Sequence, residues 1–313
     1  MKVLVTGAGG MLARSLVPHL RSRGHEVVAL DRNALDVTDP VAVDTRISLE
    51  QPDAVVQCAA YTAVDRAETE EAVATRVNAV GTSHVARSCD RLGTLLVYPS
   101  TDYVFAGSAS TPYGPEDPPD PVNAYGRSKL AGERVVLEAE RSLVVRTGWL
   151  YGEGGPNFVD TVLRLATEQS VLRVVDDQVG RPTWAASLSE NMALLMEAGA
   201  QGIFHATDGG EPVSWFGFAR EIMTLRGMGT EVVPVSSSEY PRPARRPAYS
   251  VLDCSATERL TGRPAPGWPD SLRRYLASRA GSGIPCREVV SVCDATGYHR
   301  AQPRIAPEEI EGQ

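Results

Sequence analysis

The chain has 313 residues, 42% hydrophobic and 22% charged, with a formal net charge of −8 and an isoelectric point near 5.3. That length can bury a large core, and the acidic balance argues against nucleic acid as the main partner. No apolar run approaches the ~20 residues of a bilayer span, and the N-terminal apolar stretch ends in a glycine turn rather than a signal-peptide layout.

Residues 2–6 are apolar and β-rich and read as a buried strand. Gly7-Ala8-Gly9-Gly10-Met11-Leu12-Ala13 follows at once, and Leu12, Leu16 and Leu20 recur at helical spacing. Strand, glycine turn and helix is the order that a dinucleotide phosphate site requires. Gly7 permits the tight turn, Gly10 lets the backbone approach a pyrophosphate, and a small residue at position 13 lets helix and strand close up. The helix N-terminus adds free N–H groups and a positive dipole end. Pro18 is expected to kink or shorten this helix. Residues 26–30 form a second strand ending at Asp31-Arg32. Asp31 stands where an acid would bond an adenosine ribose, while Arg32 suits a 2′-phosphate. NADH and NADPH both remain open.

Residues 35–37 read as a short strand, and Thr38-Asp39-Pro40 opens a helix. The strand at 54–57 leads into Cys58-Ala59-Ala60-Tyr61-Thr62, whose small residues let a flat nicotinamide ring lie against the backbone. Residues 68–91, which include Asn78, are expected as one long helix. A strand at 94–98 then leads into Pro99-Ser100-Thr101-Asp102-Tyr103-Val104-Phe105. Alternating strands and helices imply an α/β fold, a Rossmann-type doubly wound parallel sheet that binds ligands beyond the carboxyl ends of its strands. A proline- and glycine-rich loop at 107–123 delivers Tyr125 to the start of a helix running to about residue 140. In Tyr125-Gly126-Arg127-Ser128-Lys129 the phenol and ammonium stand one helical turn apart. Free tyrosine titrates near ~10. Lys129 is expected to lower that value and fit Tyr125 for acid–base work, with Thr101 converging on the same pocket.

The second half opens with a strand at 143–147 and the aromatic loop Gly148-Trp149-Leu150-Tyr151-Gly152. Helices are expected at 157–168, 187–197, 214–226 and 269–279, with strands at 171–175, 202–207 and 231–236. We divide the chain into a nucleotide-binding domain at 1–150, with 179–200 packed back onto it. Residues 151–178 and 201–280 form a smaller α/β substrate-binding lobe, and 281–313 a poorly ordered tail. Pro241-Arg242-Pro243-Ala244-Arg245-Arg246-Pro247 is a rigid loop with three guanidiniums. It suits a substrate diphosphate, with Arg246 as a binding residue, or is simply a solvated basic loop. The five cysteines make no Cys-x-x-Cys and the five histidines no His-Glu-x-x-His. We therefore expect idle thiols in a reducing cytoplasm and assign no metal.

Taken in order, these motifs resemble the dTDP-4-dehydrorhamnose reductases, extended short-chain dehydrogenase/reductases of deoxysugar-nucleotide biosynthesis. The resemblance runs from Met1 to about Ala280. It rests on the glycine turn, Ala59-Ala60-Tyr61-Thr62-Ala63-Val64-Asp65, Ser100-Thr101-Asp102-Tyr103-Val104-Phe105 and Tyr125-Gly126-Arg127-Ser128-Lys129-Leu130-Ala131-Gly132-Glu133. Arg146-Thr147-Gly148-Trp149-Leu150-Tyr151-Gly152, Val175-Asp176-Asp177-Gln178 and Pro243-Ala244-Arg245-Arg246-Pro247 complete it. It implies reduction of the C4 ketone of dTDP-4-dehydro-L-rhamnose to dTDP-L-rhamnose by NADH or NADPH. By that resemblance Tyr125 is the proton donor, and Lys129 contacts the nicotinamide ribose and tunes Tyr125. Thr101 bonds the reacting oxygen, and Asp102 and Trp149 line the sugar site. Gly10, Met11, Leu12, Asp31, Asp36, Val37, Ala59, Ala60 and Tyr61 would line the cofactor.

Two positions depart from the family pattern: Ala13 replaces the usual third glycine, and Gly148 stands where the family often has serine. Some members hold a metal between subunits, but no ligands match here. Two alternatives accompany the resemblance. One is a 4-ketoreductase for a related dTDP-deoxysugar of an antibiotic pathway. The other is a non-catalytic NADP-binding module like the regulatory subunit of methionine adenosyltransferase, against which intact Thr101, Tyr125, Lys129 and Trp149 weigh. We expect a cytoplasmic monomer or homodimer.

Overall fold

The first half runs β1 (Lys2–Thr6), α1 (Met11–Ser22), β2 (Glu26–Leu30), α2 (Pro40–Glu50), β3 (Ala54–Gln57), α3 (Val64–Ala67), α4 (Glu71–Thr75), α5 (Thr82–Leu92), β4 (Leu95–Thr101), α6 (Ala124–Leu137) and β5 (Ser142–Thr147). There follow β6 (Leu150–Tyr151), α7 (Phe158–Glu168), β7 (Val171–Val175), β8 (Val179–Gly180), β9 (Thr183–Trp184), α8 (Ala185–Glu197) and β10 (Gly202–His205). The last elements are β11 (Val213–Ser214), α9 (Trp215–Arg226), β12 (Glu231–Val235), α10 (Ser255–Thr261) and α11 (Trp268–Ser278). This is a computed structural model, and it describes residues 1–279. The expected tail at 281–313 lies outside the described residues, as do Cys286 and Cys293.

Six strands form one parallel sheet in the order β10-β5-β4-β3-β1-β2. Successive side chains of a strand point to opposite faces. Val3, Val5, Val56, Val97 and Val145 therefore pack one way, against α1 and α8. Leu4, Val55, Leu96, Tyr98 and Val144 pack the other way, against α2, α5 and α6. Coverage of both faces is why the strands read as unbroken apolar runs. From β1 the chain leaves to β2 on one side and returns to β3 on the other, so ligands are expected at the carboxyl ends beside β1.

The smaller lobe is built around the parallel pair β7–β12 and helices α7, α9 and α11. Its core is aromatic, with Trp149, Tyr151, Phe158, Trp215, Phe218, Trp268 and Tyr275 in one cluster. Asn157 caps α7 through Asp160 N and Ser214 caps α9 through Gly217 N, satisfying N–H groups left over at helix starts. Among the described residues no helix is long and apolar enough to cross a membrane.

Four expectations need correction. Residues 35–37 form no strand. Leu35 N–H donates to Asp31 O, and the Asp36 carboxylate accepts from Thr38 N and Oγ1, so local bonds replace a ladder. The strand at 202–205, assigned to the smaller lobe, pairs with β5 as the edge of the large sheet. Helix α1 does not stop at Pro18 but continues to Ser22, because Pro18 is exposed and water can reach the carbonyl that lacks a donor. The expected helix at 68–91 runs without a break but starts at Glu71 and carries a π-helical turn at Arg76–Gly81 that joins α4 to α5.

Arg146 on β5 and Glu133 on α6 form a bidentate pair at 2.9 and 2.7 Å, with side chains 2% and 1% exposed. Removing one partner strands a buried charge, whereas replacing both with apolar residues does not. Glu133→Ala is expected to cost about 3–5 kcal/mol in urea unfolding. Glu133→Leu combined with Arg146→Met should recover most of that loss.

Candidate active site

The site is built at the carboxyl ends of β1, β3 and β4. Gly7 has φ 61°, and a Cβ there would lie 2.6 Å from Ala59 N, so only glycine lets this turn pass the segment after β3. Gly10 caps α1 in an extended conformation, and no side chain caps that helix end. Its first N–H groups are left for an anion, which fits a dinucleotide pyrophosphate. Thr6 Oγ1 donates to Gln57 Oε1 at 2.8 Å and accepts from Ala59 N at 3.1 Å, which fixes the segment after β3 against β1.

Asn78, fully buried in the π-helical turn, fixes the next step. Its Oδ1 accepts from Tyr61 N at 2.8 Å, and its Nδ2 donates to Tyr61 O at 3.0 Å and Ser128 Oγ at 2.9 Å. Gly7, Arg32, Asp36, Val37, Ala59, Ala60 and Tyr61 line one hollow, which shares Cys58 and Ala60 with the main cleft. Asp31 lines neither. It is exposed, and its Oδ1 accepts from Asn33 N and Ala34 N.

The main cleft is lined by Gly10, Met11 and Leu12 together with Thr101, Asp102, Tyr125, Lys129 and Trp149. Thr101 Oγ1 donates to Asp102 Oδ1 at 3.0 Å, accepts from Tyr103 N at 3.2 Å, and bonds the Tyr125 phenol. Asp102 is 2% exposed, and its carboxyl packs against Gly148, where a Cβ would lie 2.8 Å from Cγ. Burial pushes Asp102 up to about 6, only partly offset by the Ser250 and Thr101 hydroxyls. Its Oδ2 has no partner at good hydrogen-bond geometry.

Lys129 does not act on Tyr125 as the spacing suggests. Nζ donates to Pro99 O at 2.8 Å and sits 3.8 Å from the Tyr98 ring centroid, so the ammonium is spent on a carbonyl and a π face. Burial lowers Lys129 to about 7, with Glu133 partly opposing it. The Tyr125 phenol is pushed above its usual range, first by burial and then by the Asp102 charge, while the Thr101 bond pulls it down. The lysine therefore does not acidify the phenol in this structure.

Trp149 has φ 50°, a left-handed backbone for a bulky residue, and its indole stacks on Trp215 with centroids 3.4 Å apart and planes at 3°. Arg246 is held by Asp65 through both guanidinium Nη atoms and lines a neighbouring hollow that shares Tyr103 with the cleft. Sequence reasoning assigned no role to Asn78, Ser128, Asp65 or Trp215. The Asx pattern of Asn78 inside a helical stretch was the one available signal, since such residues compete with the helix.

Residues 1–280 match the family model described as "RmlD substrate binding domain". The chain belongs to the RmlD family. A dTDP-4-dehydrorhamnose reductase of Streptomyces griseus is 45% identical over 293 residues, covering 90% of this chain and 96% of that one. A dTDP-4-keto-6-deoxy-D-glucose reductase of Streptomyces niveus is 40% identical, covering 86% and 94%. The crystal structure of dTDP-4-dehydrorhamnose reductase from Bacillus anthracis in complex with NADP superposes with a TM-score of 0.85 at 38% identity, covering 89% of this chain and 100% of that one. RmlD membership bears out the resemblance carried by the motifs.

Asp102 also sets a pH dependence. An aspartate that titrates at ~3.9 unfolded and about 6 folded binds more protons in the fold between those values. Stability then falls as pH rises from ~4 to ~6, by about 2–3 kcal/mol for this group. Asp208, buried and also raised to about 6, acts with the same sign. Buried His205, lowered to about 4, acts with the opposite sign over the same window, so the effect is read as a difference from the parent. Asp102→Asn is expected to gain about 2–3 kcal/mol relative to the parent between urea unfolding at pH ~4 and at ~6.5. An unchanged slope would contradict a buried neutral carboxyl.

Proposed function

We propose that this protein reduces the C4 ketone of a dTDP-4-keto-6-deoxy-L-hexose with NADPH or NADH, and that the conversion is dTDP-4-dehydro-L-rhamnose to dTDP-L-rhamnose. The reading is carried by one observation: Thr101, Asp102, Tyr125, Lys129 and Trp149 line the same cleft as the glycine turn. The 45% identity to a dTDP-4-dehydrorhamnose reductase supports the substrate class. Among the described residues Cys58, Cys89 and Cys254 are free thiols, which supports a cytoplasmic enzyme. We read it as a monomer or homodimer.

When bound, NAD(P)H supplies the hydride. The turn at Gly7 and Gly10 and the uncapped start of α1 would hold its pyrophosphate. Ala59, Ala60, Tyr61, Asp36 and Val37 would line the cofactor, with Ala60 shared between the two hollows, and Arg32 beside Asp36 would be the group to meet a 2′-phosphate. Tyr125 keeps its proton at neutral pH because burial and the Asp102 charge disfavour the phenolate. It gives that proton to the ketone oxygen as negative charge grows there, while Thr101 turns its hydroxyl from Asp102 to the same oxygen. Lys129, at about 7, can take its charged form as the phenolate develops, which lowers the cost of that buried anion. Asp102 and Trp149, both in the wall of the cleft, line the sugar.

A second reading keeps the chemistry and changes the sugar. The Streptomyces niveus relative is named for a different keto sugar, and the missing side chain at Gly148 reshapes the wall around Asp102. A panel of dTDP-4-keto sugars, followed by nicotinamide absorbance with product stereochemistry determined, separates the two.

Tyr125→Phe should lower kcat by about 10²–10⁴-fold with cofactor affinity kept. A variant that turns over normally would remove Tyr125 as the donor. Arg32→Ala should raise KM for NADPH about tenfold and leave NADH nearly unaffected. Equal shifts for both cofactors would take Arg32 out of that role.

A further inference from the structure

Asp65 lies on α3, a few residues past the Ala59-Ala60-Tyr61 segment, and the chemistry above makes no use of it. Its carboxylate nevertheless gathers the arginine loop from far along the chain. Oδ2 accepts from Arg242 Nε at 3.1 Å and Arg246 Nη2 at 3.0 Å, and Arg242 Nη2 pairs with it at 2.9 Å. Oδ1 accepts from Arg246 Nη1 and from Ala244 N at 3.1 Å. The three side chains are only 17%, 18% and 9% exposed for Asp65, Arg242 and Arg246. Burial opposes the charge on Asp65, yet the Arg246 and Ala244 hydrogen bonds and the two guanidiniums hold its carboxyl below the usual range.

Two guanidiniums against one carboxylate leave a surplus positive charge. It faces a hollow lined by Tyr103, Phe158, Val175, Trp215, Arg242 and Arg246, which meets the main cleft at Tyr103. Arg246 also bonds the Tyr103 phenol, and the Tyr103 ring meets Tyr125 edge-on at 6.0 Å. Asn123, the cap of the helix that carries Tyr125, holds the same loop by donating to Arg245 O at 2.8 Å. Without a counter-charge, two neighbouring guanidiniums repel and spread; with two acids they would attract little. A single carboxylate fixes their positions and leaves charge for an anion.

We propose that Asp65 is a positioning residue for the substrate diphosphate, presetting the Arg242 and Arg246 guanidiniums so that a nucleoside diphosphate meets ordered donors instead of having to order them. This rests on the reading that the substrate is a dTDP-sugar.

The test uses the full chain with NADPH. dTDP is titrated calorimetrically, and kinetics are run with a dTDP-4-keto sugar. Asp65→Asn keeps the size and removes the charge. The dTDP Kd and the substrate KM should both rise about tenfold, with kcat within about twofold and NADPH affinity unchanged. A residue that served only to stabilise the fold would not split KM from kcat in this way. Arg246→Ala should weaken dTDP at least as much, and adding Asp65→Asn to it should cost less than the two single losses summed, because Asp65 acts partly through Arg246 and partly through Arg242. If Asp65→Asn fails to fold, Asp65→Glu keeps the charge but displaces it, and should weaken dTDP several-fold with kcat kept. A folded Asp65 variant that binds dTDP as tightly as the parent, or more tightly, overturns the proposal. A parent protein that binds no dTDP refutes the dTDP-sugar reading itself.

Discussion

The carboxamide of Asn78 is the interaction on which the cleft depends. It joins the Ala59-Ala60-Tyr61 backbone to the start of α6 through Ser128, and the main-chain carbonyl of Asn78 adds β4 by accepting from Tyr98 OH at 3.0 Å. The same carbonyl accepts from Thr82 Oγ1 at 2.8 Å. Asn78, Tyr98, Thr82 and Ser128 are buried, so an unmade bond among them would carry the full cost of desolvation. Asn78 lies in the π-helical turn at Arg76–Gly81 that joins α4 to α5. The cofactor wall and the helix bearing Tyr125 are thereby locked to one another.

Around that frame, electrostatics follow from burial more than from helical neighbours. Tyr125, Lys129 and Asp102 are each pushed toward their neutral forms, chiefly by loss of water. A phenol that is hard to ionise suits a donor, because the proton must still be present when the ketone oxygen becomes basic. The lysine, directed at Pro99 O and the Tyr98 ring, is held ready near neutrality and not as a fixed cation beside the phenol. Spacing along a helix fixes proximity of backbone positions; the direction of a long side chain depends on what else it can bond.

The parts of this protein legible in the sequence share a local cause. The turn at Gly7 and Gly10 could be read because strand, glycine and helix adjoin in the chain. Thr101 and Tyr125 could be joined because both follow from where a parallel sheet puts its carboxyl ends. The rest depended on partners distant in sequence. Residues 35–37 carry an apolar pattern fit for a strand, yet Asp36 hooks its own backbone first. The run at 202–205 has the composition of either sheet, and only its pairing with β5 decides between them. Arg246 was legible as a cation, but not the Asp65 carboxylate that holds it, because nothing local announces that contact.

The late arrival of β10 has a consequence for synthesis on the ribosome. Strand β5 ends at Thr147, while its neighbour on that side starts at Gly202. A nascent chain that has already folded its first five sheet strands exposes the ladder of β5 until the intervening lobe has emerged. An open strand edge invites pairing with other chains. The segment from β6 to α8 therefore governs how long the newborn protein remains adhesive, and lengthening it would prolong that exposure without altering one contact of the finished molecule.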